Sequence, residues 1–162
     1  MPLEWVNGDA VGVDVSHVEH PEPITGEHIE GELDKHDLKI QEGDIVTLET
    51  GNRRENYSTT DKEMKHRYKS KFVGLNEEAA TWLVESGAKG IGIDSISVDH
   101  PPNIYPNYNF PVHALASREE VVIWENLANL AEVAGMRYTF SGLPLKIRDG
   151  TGSPVRAIGI VE

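Results

Sequence analysis

The sequence predicts a mixed α/β fold in a single domain that spans residues 1–162. Three observations lead to this class. A helix predicted over Asn76–Ser86 is followed by the short apolar strand Gly90–Asp94, and the strand Ile45–Leu48 precedes both. This strand–helix–strand order implies a crossover connection and some parallel sheet. Near the C-terminus, Tyr138–Leu145 and Val155–Val161 are two more predicted strands, joined by a turn at Asp149-Gly150-Thr151-Gly152.

The first half of the chain contains alternating strand and helix patterns. Val11–Val15 alternates large apolar with small or polar residues, as a half-buried strand does. Thr25 is placed to cap a helix that continues through Leu33, and a Glu-Gly-Asp turn leads into the strand Ile45–Leu48. Residues 52–72 are polar and irregular in pattern, which predicts a long loop of the kind that often forms a lid or binding loop.

The clearest helix in the sequence is Asn76–Ser86. Asn76 is a good N-cap, Glu77 and Glu78 lie in the positive first turn, and Gly87 provides a stop. Further along, Val121–Trp124 has the composition of a strand, and Asn126–Glu132 reads as one or two helical turns.

Composition disfavours several classes of function. The formal net charge is -12, from 27 acidic and 15 basic residues, which predicts that the chain does not bind nucleic acid. The basic cluster Lys62–Lys71 is predicted to be a solvated loop or helix face. Zero cysteines exclude disulfides, Cys-ligated zinc and a thiol nucleophile. No membrane-spanning apolar run or signal-peptide pattern is visible, so a cytoplasmic location is predicted.

His113 and Glu125 are the main candidates for chemistry, at opposite ends of an apolar, β-prone run. Imidazole and carboxylate are ligands of divalent metals, although a catalytic metal usually has three or more protein ligands. Two interpretations of Glu125 remain open. It is either a metal ligand at the carboxyl edge of the sheet or a cap for the helical turns Asn126–Glu132. A histidine and a glutamate at this spacing also occur together by chance in most proteins.

Asp94 and Asp99 form a second candidate group, because Asp94 ends a buried strand and needs partners. The favoured interpretation is structural: Asp94 and Ser97 hold the following loop through bonds to its backbone. His100 is predicted to be a loop residue. Solvent exposure is predicted for the other histidines, although His28 and Glu32 share a helix face as a metal pair would: His17, His20, His28, His36 and His66. No P-loop, G-x-S-x-G or G-x-G-x-x-G motif occurs.

Several blocks of the chain, taken together in order, resemble the cyclase family of metal-dependent hydrolases, which includes bacterial kynurenine formamidase and isatin hydrolase. The blocks are E-G-D-I-V-T-L-E-T-G, G-L-N-E-E-A-A-T-W-L, G-I-D-S-I-S-V-D, F-P-V-H-A-L-A, V-V-I-W-E-N-L-A-N-L and L-P-L-K-I-R-D-G-T-G-S-P-V-R-A. The resemblance covers essentially the whole chain, from about Pro2.

This resemblance implies a swivelling β/α/β domain with a mixed sheet and a divalent metal, zinc or manganese. The late histidine and glutamate of the family's metal site fall on His113 and Glu125. The family's other ligands, and its proton-transferring histidine, lie in an N-terminal H-x-G-T-H-x-D-x-P-x-H motif. That motif is absent from this sequence. We therefore expect a domain that is incomplete at its N-terminus, either as a fragment or late start or as a genuine short form.

The expected function is hydrolysis of a C–N bond in a small formamide or cyclic amide, impaired because part of the metal site is missing. The alternative is a non-catalytic family member that binds a small molecule or a partner subunit. A homo-oligomer, dimer or tetramer, is also expected, since a missing segment should expose a sheet edge or apolar patch. Specificity is expected to depend on the loop Asn52–Phe72 and on Tyr105, Tyr108 and Phe110.

Overall fold

One mixed sheet of six strands organises the chain, in a computed structural model that describes residues 2–104 and 108–161. The spatial order is β4-β3-β2-β1-β5-β6. Strands β1 to β4 are mutually parallel, whereas β5 pairs antiparallel with both β1 and β6. The predicted α/β class with a mixed sheet is therefore confirmed. The strands are β1 Asn7–Asp14, β2 Ile45–Glu49, β3 Gly90–Ile93, β4 Val122–Trp124, β5 Arg137–Ser141 and β6 Ile158–Ile160.

Three helices pack on each other and on the sheet along the parallel half. Helix α1 contacts β1 and α4, and α6 contacts α4 and β4. The caps expected from the sequence are present: the Thr25 hydroxyl accepts from the His28 N–H, and the Asn76 side chain accepts from the Ala79 N–H. The helices are α1 Gly26–Lys35, α2 Asn52–Asn56, α3 Lys62–Ser70, α4 Glu77–Glu85, α5 Pro101–Ile104 and α6 Pro111–Arg118, with 3₁₀ turns at Leu3–Trp5 and Leu130–Glu132.

The alternation in β3 shows how the two faces of the sheet are filled. Ile91 and Ile93 are buried in the larger core, with the apolar side chains of α1, α4 and α6. Gly90 and Gly92 face the opposite side, where a Cβ would lie 2.6 Å from the Trp124 ring and 2.8 Å from Leu127 respectively. These glycines therefore make room for a second, smaller core that contains Trp124 and Leu127. The Gly-Ile-Gly-Ile pattern is a packing feature.

The prediction of a long loop over residues 52–72 is wrong for most of its length. This segment contains α2 and α3, and the basic cluster Lys62–Lys71, predicted as a loop or a helix face, lies mostly on α3. The Asp61 carboxylate accepts from the N–H groups of Glu63 and Met64 and so begins α3. Tyr68 is 5% exposed and anchors the helix to the domain. The cap and the buried aromatic side chain both stabilise a helix that lacks an apolar stripe.

A further prediction was wrong at His113. The run that begins at His113 is not β-prone at its start, because Pro111 opens α6 and His113 lies in its first turn. The one or two helical turns predicted over Asn126–Glu132 are present as a single 3₁₀ turn, Leu130–Glu132. Tyr105 lies outside the described residues. Within the described part of the chain, no helix has the length and apolar character needed to cross a membrane.

Candidate functional site

Each of the four parallel strands ends at a carboxylate. Asp14 and Glu49 are the last residues of β1 and β2 and lie opposite each other in the sheet register. Asp94 and Glu125 directly follow β3 and β4. The carboxyl ends of adjacent parallel strands meet at one edge, where α/β proteins place their ligands. The fold thus gathers four acidic side chains that are far apart in the sequence.

His113 is oriented by the buried carboxylate of Asp99. The imidazole Nδ1 lies 2.5 Å from Asp99 Oδ2, and Asp99 also accepts hydrogen bonds from the backbone N–H groups of Val112 and His113. The hydrogen bond that Nδ1 donates to Asp99 raises the pKa of the His113 imidazole, and the charge of Glu125 adds to that rise against the effect of burial. Because Nδ1 is engaged, Nε2 is the nitrogen directed away from Asp99.

Glu125 lies on the other side of that imidazole. Its Oε1 is 3.6 Å from His113 Nε2 and accepts a 2.9 Å hydrogen bond from the backbone N–H of Val98. The alternative in which Glu125 caps helical turns at 126–132 is therefore wrong, since its carboxylate binds the loop after β3 and no helix begins at Asn126. The structure brings His113 and Glu125 together, and both side chains are partly exposed, at 42% and 26%.

The geometry of this pair fits one side of a divalent metal site. Ligand bonds of roughly 2.0–2.2 Å at tetrahedral angles place two donor atoms about 3.3–3.6 Å apart, close to the observed His–Glu separation. An Asp99-bound Nδ1 is also the usual arrangement behind a metal-binding imidazole, because it fixes the tautomer that leaves Nε2 available. Among residues 2–104 and 108–161, no group of three or more His, Cys, Asp or Glu side chains could hold a metal ion. The pair thus provides two side chains of types that bind divalent metals, one of them an oriented imidazole.

Asp94 belongs to a separate, closed group of interactions. It is 1% exposed and accepts hydrogen bonds from the Thr50 N–H, the Thr50 hydroxyl and the Arg53 N–H. Burial raises the pKa of the Asp94 carboxyl, against these hydrogen bonds. Asp94 has the predicted structural role, since it holds a loop through hydrogen bonds. The predicted loop was the one that follows Asp94, however, whereas the side chain binds the segment after β2. Ser97 does hold its own loop, by accepting from the Asp99 N–H.

Glu49 lies beside Asp94 and is also nearly inaccessible. It is 3% exposed, and its carboxylate receives a 2.8 Å hydrogen bond from Arg54 Nη1. Burial, reinforced by the nearby charge of Asp94, raises the pKa of Glu49 to about 7 even though Arg54 opposes the shift. Neither Glu49 nor Arg54 stood out in the sequence, since a charged residue at the end of a strand is common.

Two adjoining cavities open onto these carboxylates. An open cavity of about 1600 Å³ is lined by His113, Glu125 and Arg53, and by the C-terminal segment 151–159. A smaller cavity of about 320 Å³ is lined by Glu49 and Asp94. The two cavities share lining residues: Arg53, Ala128, Asn129 and Glu132. They form one concave region with a main chamber and a side chamber.

The other predicted candidates lie outside this region. His28 is occupied in the cap of α1, where its Nδ1 accepts from the Thr25 N–H, and Glu32 pairs with Lys35 and His17. His17, His20, His36 and His66 are exposed, as predicted. His100 is a loop residue but is 4% exposed, with Nε2 2.8 Å from the Pro21 carbonyl oxygen. Phe110 does reach the site, with its ring 5.7 Å from that of His113.

Comparisons with known proteins agree with this fold. Residues 1–100 match the family described as "Putative cyclase". Cyclase-like protein 3 of Oryza sativa subsp. japonica is 30% identical over 98% of this chain and 52% of its own length. Isatin hydrolase A from Labrenzia aggregata, solved bound to benzyl benzoate, superposes with a TM-score of 0.83 at 25% identity over 99% of this chain and 63% of that chain. A potential metal-dependent hydrolase with cyclase activity gives a TM-score of 0.72 at 27% identity over 98% and 67%.

The chain belongs to the cyclase family, and the resemblance noted in the sequence is confirmed. The family match covers well over half of the residues and the fold match covers nearly all of them. The chain spans about half the length of the rice relative. Its similarity is to proteins described as isatin hydrolase or metal-dependent hydrolase.

Proposed function

We propose that this chain carries part of the metal site of an amide hydrolase, with His113 and Glu125 as metal ligands and zinc or manganese as the metal. The observation that carries the proposal is the orientation of the imidazole. Asp99 holds Nδ1, so Nε2 faces Glu125 Oε1 at 3.6 Å. A hydrogen bond from the Val98 N–H holds the glutamate in turn. Two side chains from different elements are thus fixed toward one point.

The substrate class that we propose is a small formamide or cyclic amide. A divalent metal bound at this site supplies Lewis-acid activation of water and of the amide carbonyl. The protein's own contribution is to hold His113 and Glu125 in place through Asp99 and Val98, so that little reorganisation is needed on binding. The ring of Phe110 beside His113 gives the site an apolar wall. No described residue is assigned the role of proton transfer.

We further propose that metal affinity and hydrolysis are weak in the isolated chain, because the pair supplies only two ligands. The test is equilibrium dialysis against zinc and manganese, with bound metal measured by plasma mass spectrometry. His113→Ala and Glu125→Gln should each lower the affinity at least about tenfold. His66→Ala on the exposed face of α3 and Glu77→Gln at the start of α4 are matched controls and should leave it unchanged. Equal binding by all variants would exclude the pair as the site.

The impaired activity has its own test. Isatin and N-formylkynurenine are offered to the purified chain with zinc or manganese present, and product is followed by absorbance. We expect slow hydrolysis or none. Tight stoichiometric metal together with rapid turnover would show that the isolated chain is a competent enzyme. No hydrolysis, with metal binding that still depends on His113 and Glu125, supports the alternative of a non-catalytic family member that binds a small molecule or partner subunit.

We also propose that the chain forms a homo-oligomer through its C-terminal segment. Strand β6 is an edge of the sheet, and a set of apolar side chains around it is exposed: Leu143, Leu145, Ile147, Ile158, Ile160 and Val161. Exposed apolar sets next to a free strand edge favour association. Light scattering coupled to size-exclusion chromatography should show a dimer or tetramer that Ile160→Lys dissociates. A monomer at high concentration would contradict the proposal.

A further inference from the structure

Arg53 is an arginine held in place without an acidic partner. Its guanidinium lies over the Tyr57 ring, 4.2 Å from the ring centroid. It is also beside the Tyr68 hydroxyl: burial raises the pKa of Tyr68, and Arg53 opposes that rise. In the described ranges, 2–104 and 108–161, no carboxylate lies within 4 Å of this guanidinium. The side chain is thus positioned by two aromatic residues, with its charge left available.

The position of Arg53 connects the two chambers of the cavity. Its side chain lines both the main chamber, with His113 and Glu125, and the side chamber, with Glu49. The Tyr68 hydroxyl next to it donates a 2.6 Å hydrogen bond to Asn126 Oδ1, and Asn126 directly follows Glu125. Arg53 is therefore tied through a short chain of contacts to the segment that carries the candidate metal ligand.

The other arginines of the cavity differ in a way that favours Arg53. Arg54 pairs with Glu49, at 2.8 Å, and also lies near Glu55. Arg156 lines the main chamber from an exposed position in the C-terminal segment. Four carboxylates lie along the same edge and would repel an anion, so an anion can bind only where a cation is near and preorganised. Arg53 meets both conditions.

We infer that Arg53 is a carboxylate-binding residue and that the cavity takes small molecules that carry a carboxylate. The planar guanidinium matches a carboxylate in a two-point geometry that a lysine cannot reproduce. The inference deepens the proposed function and rests on it for the reaction. Hydrolysis breaks the amide C–N bond, adds the hydroxyl of water to the carbonyl carbon and a proton to nitrogen, and leaves a carboxylate and an amine. Hydrolysis of a cyclic amide leaves both groups on one molecule.

The test uses metal-free protein and two probes of the same shape, benzoate and neutral benzamide. Affinity is measured by isothermal titration calorimetry, and the Arg53 Nε–H resonance is followed by NMR. We expect benzoate to bind more tightly than benzamide and to shift that resonance. Arg53→Gln should weaken benzoate about tenfold or more and leave benzamide unchanged, with Arg53→Lys between them. The backbone bond from residue 53 to Asp94 is retained in these variants.

The matched control is Arg67→Gln, which removes the same charge from α3, where Arg67 pairs with Glu63 outside the cavity. Urea unfolding checks that every variant is folded. Unchanged benzoate affinity in Arg53→Gln, no benzoate binding to the wild type at millimolar concentration, or loss of binding in Arg156→Gln alone would each overturn the inference. If His113 and Glu125 prove not to bind metal while benzoate still depends on Arg53, the carboxylate site stands and the hydrolase proposal fails.

Discussion

Two acidic groups lie at the same edge of the sheet and differ in what they are free to do. Asp94 and Glu49 are only 1% and 3% exposed, and both are bound to protein donors: Thr50, the Arg53 backbone and Arg54. His113 and Glu125 are both partly exposed, and Asp99 engages Nδ1 of the imidazole, which leaves Nε2 directed toward Glu125. The carboxylates of the first group are nearly inaccessible and occupied by protein donors, whereas the second group is partly exposed to the main chamber.

This difference shows how one feature of the fold serves two purposes. Parallel strands bring their terminal carboxylates together whether or not chemistry is needed there. Where backbone donors surround the carboxylate, it holds the chain together, as Asp94 holds the start of α2. Where an imidazole and a carboxylate face open space, they can bind a ligand. Exposure and free donor atoms therefore separate a site from a structural cluster better than residue type does.

The largest effect is expected from removing the closed group's central carboxylate. Asp94→Ala leaves the N–H groups of Thr50 and Arg53 and the Thr50 hydroxyl without their acceptor in a buried place. The free energy of unfolding should fall by about 3–5 kcal/mol, measured by urea denaturation. Asp61→Ala, at the exposed cap of α3, is the comparison and should cost about 1 kcal/mol. A loss as small as that of Asp61→Ala would mean that the Asp94 group is not structural.

Glu49 makes the closed group sensitive to pH. Its pKa of about 7 lies above the ordinary value of 4.5, so folding is favoured when Glu49 is protonated. This contribution is fully present below pH 4.5 and is lost as the pH rises through about 7. The free energy of unfolding should therefore fall by up to about 3 kcal/mol across this window. Glu49→Gln should remove that slope, whereas Glu55→Gln on exposed α2 should retain it; parallel slopes in wild type and Glu49→Gln would contradict the assignment.

A smaller effect is expected in the group that faces the cavity. Asp99→Asn keeps the size of the side chain but can present its amide to Nδ1, which disturbs the orientation and tautomer of His113. Zinc affinity, measured by competition with a chelating dye, should fall about 10- to 100-fold. Asp61→Asn serves as the control, and circular dichroism checks that α6 is intact. An unchanged affinity would show that Asp99 does not support a metal ligand.

The sequence predicted a helix or strand correctly where the residues that determine it lie within that same element. Thr25 and Asn76 cap the helices that the sequence assigned to them, because a cap acts within three residues. The helix α3 in segment 52–72 was not predicted, because it depends on Tyr68, which is buried only when the rest of the domain surrounds it. The helix that contains His113 was not predicted for a related reason. The apolar run that follows His113 belongs partly to α6 and partly to β4, and only the packing of these two elements sets the boundary between them.

The candidate site also depends partly on local sequence and partly on contacts between distant residues. The sequence alone determined the α/β class, the family and the choice of His113 and Glu125, since these rest on local patterns and on the order of motifs along the chain. Only the tertiary structure decided that Asp99 orients His113, that Asp94 closes on Thr50, and that Arg53 lies in the cavity without an acid partner. The first two contacts join residues that are 14 and 44 positions apart. Hydrogen bonds and ion pairs act over a few ångströms in space, and the sheet register sets which distant residues come that close.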